Sequence, residues 1–197
     1  MNTKLILLFF LLSILLQGCG RSEKDPEPED KPTEQPEEKM IPFDGLIFES
    51  GLFPMHKASE VTKWEENRGA EVAVIAVAPS RQSWEALQNT WFMDDQRIPK
   101  GFKGTLNVAM PLWPENGSLE AAANGSYNAE WEKFGRSLAA KYPDAYIRVG
   151  WEMNINDWYF KATPENAEEW KTAFRLAVIN LRKASSAFRF IFNPNGG

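Results

Sequence analysis

Residues 41–197 are predicted to form an α/β domain, a (β/α)8 TIM barrel truncated after about the fifth strand, on three observations. Short apolar runs recur at fairly regular intervals with amphipathic stretches between them, which is the pattern of a parallel sheet joined by crossover helices. No glycine-rich phosphate turn follows any run, so the nucleotide-binding signature of a doubly wound sheet is missing. Polar and aromatic residues gather just after the runs instead, where barrels build their active sites. The first observation fits a doubly wound sheet as well as a barrel; the other two favour the barrel.

The elements follow in chain order. Residues 46–48 are the first apolar run, with Glu49 and Phe53 beyond it and a short helix expected after Ser59. Residues 71–78, rich in valine, are the second, followed by Ser80, Arg81 and Trp84, with another short helix after Ser83. Residues 106–110 are the third, and Trp113 follows them. Residues 126–142 carry Trp131, Phe134, Leu138 and Tyr142 at spacings of three or four, one stripe of a helix. Residues 145–150 are the fourth run, leading to Glu152, Asn154 and Trp158. Residues 163–183 carry the clearest helix signals: Thr163 as N-cap, Pro164 at the first helical position, Glu165 in the first turn, Arg182 and Lys183 in the last. Its buried face is expected to be Ala167, Trp170, Phe174, Ala177, Val178 and Leu181. Residues 188–192 are the fifth run, followed by Asn193 and Asn195. Continuous apolar strands of this kind suit a parallel sheet covered on both faces.

Ahead of this domain lie two segments of different composition. Residues 1–18 read as a lipoprotein signal peptide: Lys4 supplies a positive charge, and the apolar stretch after it is too short to span a bilayer. Leu16-Gln17-Gly18-Cys19 resembles the bacterial lipobox, in which the cysteine is lipidated and becomes the first mature residue. Cys19 is the lone cysteine, which excludes an internal disulfide and a cysteine-based metal cage. Gly20 is not the aspartate that resembles an inner-membrane retention signal, so the expected location is the bacterial cell envelope, at the outer membrane or cell surface. Residues 19–40 add to Cys19 a linker in which Pro26, Pro28, Pro32 and Pro36 stand among acidic residues. Such a segment buries too little apolar surface to offset its chain entropy and reads as a solvated tether. With signal and tether set aside, the domain is nearly neutral and has no basic tract. That argues against nucleic acid and suits an uncharged glycan. No cofactor is expected, since neither a phosphate-binding nor a metal-ligating signal is present.

The chemistry centres on residues 148–159. A strand delivering Glu152 to its C-terminal tip, with Asn154 and Trp158 on the following loop, supplies a proton donor, a hydroxyl reader and a stacking surface. Together these suggest a sugar-cleaving acid. The candidate binding set is Asn154, Trp158, Trp113, Trp151 and Asn193; the plainer readings make Glu152 a structural partner of Arg148, Asn154 a loop cap and the tryptophans core.

Arg148-Val149-Gly150-Trp151-Glu152-Met153-Asn154, followed by Asp157-Trp158-Tyr159, resembles the fourth-strand signature of glycoside hydrolase family 26 and its β-mannanase-like relatives among the retaining glycosidases. Phe190-Ile191-Phe192-Asn193-Pro194-Asn195 is similar to the family's fifth strand, and Met110-Pro111-Leu112-Trp113 matches its general pattern. The resemblance implies a retaining mechanism on a mannan-type or related β-linked polysaccharide, with Glu152 first as general acid and then as general base. It implies an apolar setting near Trp151 that favours the protonated carboxyl. It also implies a nucleophilic carboxylate roughly 5 Å away, which in the family is a glutamate at the end of the seventh strand. Family members typically carry histidine where this chain has Trp151, which leaves the substrate open. Because a complete barrel needs about 250 residues, the chain is expected to be the N-terminal portion of a longer product and inactive alone; a short protein closed by a partner chain is the competing expectation. The alternative function is a surface lipoprotein that binds glycans without cutting them.

Overall fold

The computed structural model describes residues 40–45, 50–53 and 57–196. The expected signal peptide, Cys19, nearly all of the expected tether, the run at 46–48, Glu49 and His56 lie outside the described residues. Five strands form one sheet in the order β1-β2-β3-β4-β5, every neighbouring pair parallel. They are β1 (Gly51–Leu52), β2 (Val74–Val77), β3 (Thr105–Met110), β4 (Tyr146–Val149) and β5 (Arg189–Phe190). β2, β4 and β5 fall inside the predicted runs and β3 begins one residue before its run, whereas β1 begins beyond the predicted first run. The order never reverses, so there is no topological switch point of the kind a doubly wound sheet requires.

The connecting helices are α1 (Ala58–Arg68), α2 (Trp84–Gln88), α3 (Leu119–Ala123), α4 (Asn128–Ala139) and α5 (Ala167–Ala184). Right-handed crossovers that always step in one direction gather their helices on one side of a sheet. Accordingly α5 packs on both α3 and α4, and α4 on α2. Sequence signals set the helix ends locally. Ser83 caps α2 by accepting from the Ala86 N–H at 3.1 Å, and Ser118 caps α3 by accepting from Ala121 at 3.1 Å.

The sheet is two-faced rather than covered evenly on both faces. Ile75, Val77, Leu106, Val108, Met110, Ile147 and Val149 are buried, while Val74, Ala76, Asn107, Tyr146 and Arg148 alternate with them and stay half-exposed. The period of two along β2 and β4, broken in β3 only by the buried Ala109, therefore separates a helix-packed face from an open one. On the packed side, α4 buries Trp131, Phe134 and Leu138, as its stripe predicts. Phe134 stacks on Phe92 with centroids 6.0 Å apart. Gly135 lets α4 approach α5 closely, because a Cβ there would lie 2.9 Å from the Ala184 Cβ.

The long helix α5 starts later than the sequence predicts. Asn166, not Thr163, occupies the N-cap position, and it makes no side-chain cap bond. Its amide instead accepts from the Thr163 N–H at 2.8 Å and donates to the Lys161 carbonyl at 3.1 Å, closing a turn before the helix. The Glu165 carboxyl is held below its ordinary range, first by its own backbone N–H and then by the Thr163 hydroxyl. The buried face of α5 is correspondingly rotated: Trp170, Ala173, Ala177, Asn180 and Leu181 are buried, while Ala167, Phe174 and Val178 are half-exposed. Asn180 is tolerated inside because its amide donates to Asn128 Oδ1 and the Leu176 carbonyl, both at 2.8 Å, and accepts from Lys183 at 2.7 Å.

Candidate functional site

The open face of the sheet forms the floor of a cleft of about 460 Å³, lined by Ala76, Ala78, Asn107, Ala109, Arg148, Trp151, Glu152 and Phe53. Three alanines, Ala76 on β2, Ala78 just past it and Ala109 on β3, leave the room, and two polar side chains, Asn107 and Arg148, give the floor its polarity. A cavity of similar size, about 470 Å³, lies along the flank of α2 and α4. Size therefore does not separate the two; position at the C-terminal ends of the strands does, since parallel α/β sheets bind ligands there.

Arg148 organises the floor. Its Nε donates to Asn107 Oδ1 at 2.9 Å and its Nη1 donates to Asn193 Oδ1 at 3.1 Å, which joins β3, β4 and the segment after β5. Burial lowers the affinity of this guanidinium for its proton, and the nearby Glu152 carboxylate acts in the opposite sense. Arg148 and Glu152 share the cleft without a direct ion pair, so Arg148 braces the site through amides. Asn107 was not among the expected site residues. Its signal is readable afterwards, as an amide standing inside an apolar run, where burial is unfavourable without a partner.

Glu152 stands at the tip of the turn that follows β4. Its φ is +51°, the one positive φ among described residues other than glycine, and Gly150 two positions earlier has φ +59°. A left-handed conformation costs a residue with a Cβ roughly 1–2 kcal/mol, and such strain persists where the surroundings over-determine it. Here the Glu152 N–H donates to the Asn193 carbonyl at 2.6 Å, the Glu152 carbonyl accepts from Ile155, and Oε1 accepts from Asn195 Nδ2 at 3.4 Å. Gly150 is close-packed as well as left-handed, since a Cβ there would meet the Trp170 ring at 2.8 Å.

The aromatic residues divide into three groups. Trp151 lines the cleft, half-exposed, and rests against Phe160 and Trp158 with centroids 5.1 and 5.3 Å away. Trp158 does not stand as an open platform: it stacks on Phe160 at 5.3 Å, and the Arg81 guanidinium lies 5.0 Å from its ring centroid. Trp113, expected among the sugar-binding residues with core as its plainer reading, lies in the core. It is 5 % exposed, with its ring against Tyr159, because an aromatic ring so close to the sheet gains most by leaving water. Nearby, the Trp158 Nε1 and Tyr159 hydroxyl are buried without hydrogen-bond partners. Burial, seconded by Glu115 and opposed by Arg81, pushes the Tyr159 phenol well above its ordinary range.

Asn154 also differs from its expected role as a hydroxyl reader. Its Nδ2 donates to the Asn195 carbonyl at 2.9 Å and its Oδ1 accepts from the Asn195 N–H at 2.7 Å, so both ends of the amide are engaged. Asn193 reaches the site through Arg148 and through its own carbonyl on Glu152. Glu152, Trp151 and Asn193 are thus brought together around Arg148; Asn154 joins them indirectly, and Trp113 does not. Among the described residues no group of three or more histidine, cysteine, aspartate or glutamate side chains is placed to hold a metal ion, and no helix is long and apolar enough to cross a membrane. No protein-family model matches the chain, and no curated protein matches it either.

Proposed function

We propose that the protein is a glycoside hydrolase of the retaining type, acting on a β-linked polysaccharide, with Glu152 as its acid and then base. The sheet is read as part of a (β/α)8 barrel, which the unreversed strand order and one-sided helix layer support. The single observation that carries the activity is the placement of Glu152: a carboxyl held by a strained turn on the rim of an open cleft at the carboxyl end of a parallel sheet. Trp151 offers the cleft an aromatic surface and Arg148 fixes the floor beneath it. The motif from Arg148 to Tyr159, with its likeness to glycoside hydrolase family 26, supports the same reading, and the lipobox at Cys19 supports attachment to the outer membrane or cell surface.

In the full-length protein, Glu152→Gln should lower hydrolysis of substrates with poor leaving groups by a factor on the order of 10² to 10⁴. Polysaccharide binding, followed by calorimetry, should persist. Unchanged turnover in Glu152→Gln sinks the assignment. One observation favours a second reading, a surface glycan-binding lipoprotein: Glu152 is the one carboxylate among the described residues lining the cleft, whereas retaining hydrolysis needs two. A wild-type protein that binds β-glycans and cleaves none would establish that alternative.

A further inference from the structure

Two contacts of the Glu152 turn have a common origin in the short segment Asn193-Pro194-Asn195. That segment supplies the carbonyl that accepts from the Glu152 N–H at 2.6 Å and the amide that reaches Glu152 Oε1 at 3.4 Å. It extends beyond the end of β5, where neither contact belongs to the parallel ladder, so something else must hold it in register with β4. Two side chains do so. Arg148 bonds the Asn193 side chain, and Asn154 bonds both the N–H and the carbonyl of Asn195. The Asn154 amide therefore substitutes for a strand neighbour, presenting one donor and one acceptor to one residue's backbone.

We infer that Asn154 is a positioning residue for Glu152, acting through Asn193-Pro194-Asn195 rather than through contact with the glycan. The inference rests on the hydrolase reading for its kinetic consequence and on the geometry alone for its structural one. A left-handed glutamate needs continuous restraint, because the unrestrained turn relaxes to negative φ and carries the carboxyl away from the cleft rim. Asn154 is exposed, so its side chain can be truncated without opening a buried cavity. Both polar atoms of its amide are fixed on the Asn195 backbone, the nitrogen by one donated bond and the oxygen by one accepted bond.

The test uses the full-length protein and two readouts. In Asn154→Ala, kcat should fall about tenfold or more with KM little changed, the signature of a misplaced group rather than a lost binding contact. Amide hydrogen exchange at Glu152 should quicken about tenfold, while that of Leu138 in the packed layer stays the same. Asn154→Asp keeps the acceptor for the Asn195 N–H and should recover part of both effects. A rise in KM with kcat intact makes Asn154 a substrate contact and overturns the inference, as does unchanged exchange at Glu152. If the wild-type protein cleaves no glycan and Glu152→Gln matches it, the hydrolase reading fails; the exchange comparison then supports or overturns the clamp without it.

Discussion

The layer between sheet and helices and the turn after β4 are held by opposite means. In the first, Trp131, Phe134, Leu138, Ile147 and Leu181 are buried against one another, and the contacts are numerous, apolar and redundant. In the second, a strained glutamate is kept in place by a few directed hydrogen bonds, next to a tryptophan nitrogen and a tyrosine hydroxyl that have no partner. Close packing spreads its stabilisation over many contacts, so that the loss of one large side chain is felt across the layer. Directed bonds contribute less energy each and fix geometry. The contrast teaches that this fold draws its stability from one side of the sheet and places its candidate site on the other.

Truncating the packed layer is the strongest way to test that division. Trp131→Ala should destabilise the protein by about 3–5 kcal/mol, read by chemical denaturation, whereas Asn107→Ala on the open face should stay under about 2 kcal/mol. Equal costs would erase the distinction. Next in size, Gly135→Val should cost about 1–3 kcal/mol by overpacking the α4 and α5 contact, because its first added carbon already meets Ala184.

The strained side predicts the reverse sign. Glu152→Gly should be more stable than Glu152→Ala by about 1 kcal/mol, since glycine adopts positive φ without strain. A melting temperature for the glycine variant below that of the alanine variant would show that the turn stores no strain. The smallest effect concerns Tyr159. Its folded-state phenol is raised above the unfolded value, so its contribution is fully present below about pH 10 and is lost as pH rises further, because the unfolded chain releases that proton first. Stability should therefore fall above about pH 10, and Tyr159→Phe should flatten part of that slope. Tyr142, raised by burial and by Asp95, remains to supply the rest.

Much of the packed side was legible in the residues. The stripe Trp131, Phe134, Leu138 marks α4, and the apolar runs locate β2 to β5, because each depends on neighbours a few positions away. The start of α5 was legible only in part: Thr163, Pro164 and Glu165 carry the right chemistry, but Asn166 bonds backward to Lys161 and Thr163 and delays the helix. On the open side, Glu152 and Trp151 were readable as cleft residues from their place at the end of a run. Trp113 was readable either as core or as a cleft residue, and only the packing against Tyr159 places it in the core. Asn107 went unnoticed because a single amide in an apolar run looks like noise until Arg148 is opposite it.

By itself the chain determined where strands and helices alternate, which stripe of α4 faces inward, and that a glutamate follows the fourth strand. Those properties follow from periodicities of 2 and 3.6 and from side chains acting on their own backbone. Only the tertiary structure decided that Asn154 meets Asn195, 41 positions away, and that Arg148 meets Asn107, also 41 positions away. The parallel register sets which residues share a face, and no local pattern encodes the distance between strands that a crossover helix separates. The left-handed Glu152 belongs to the same class: its conformation is unfavourable locally and exists because distant groups hold it.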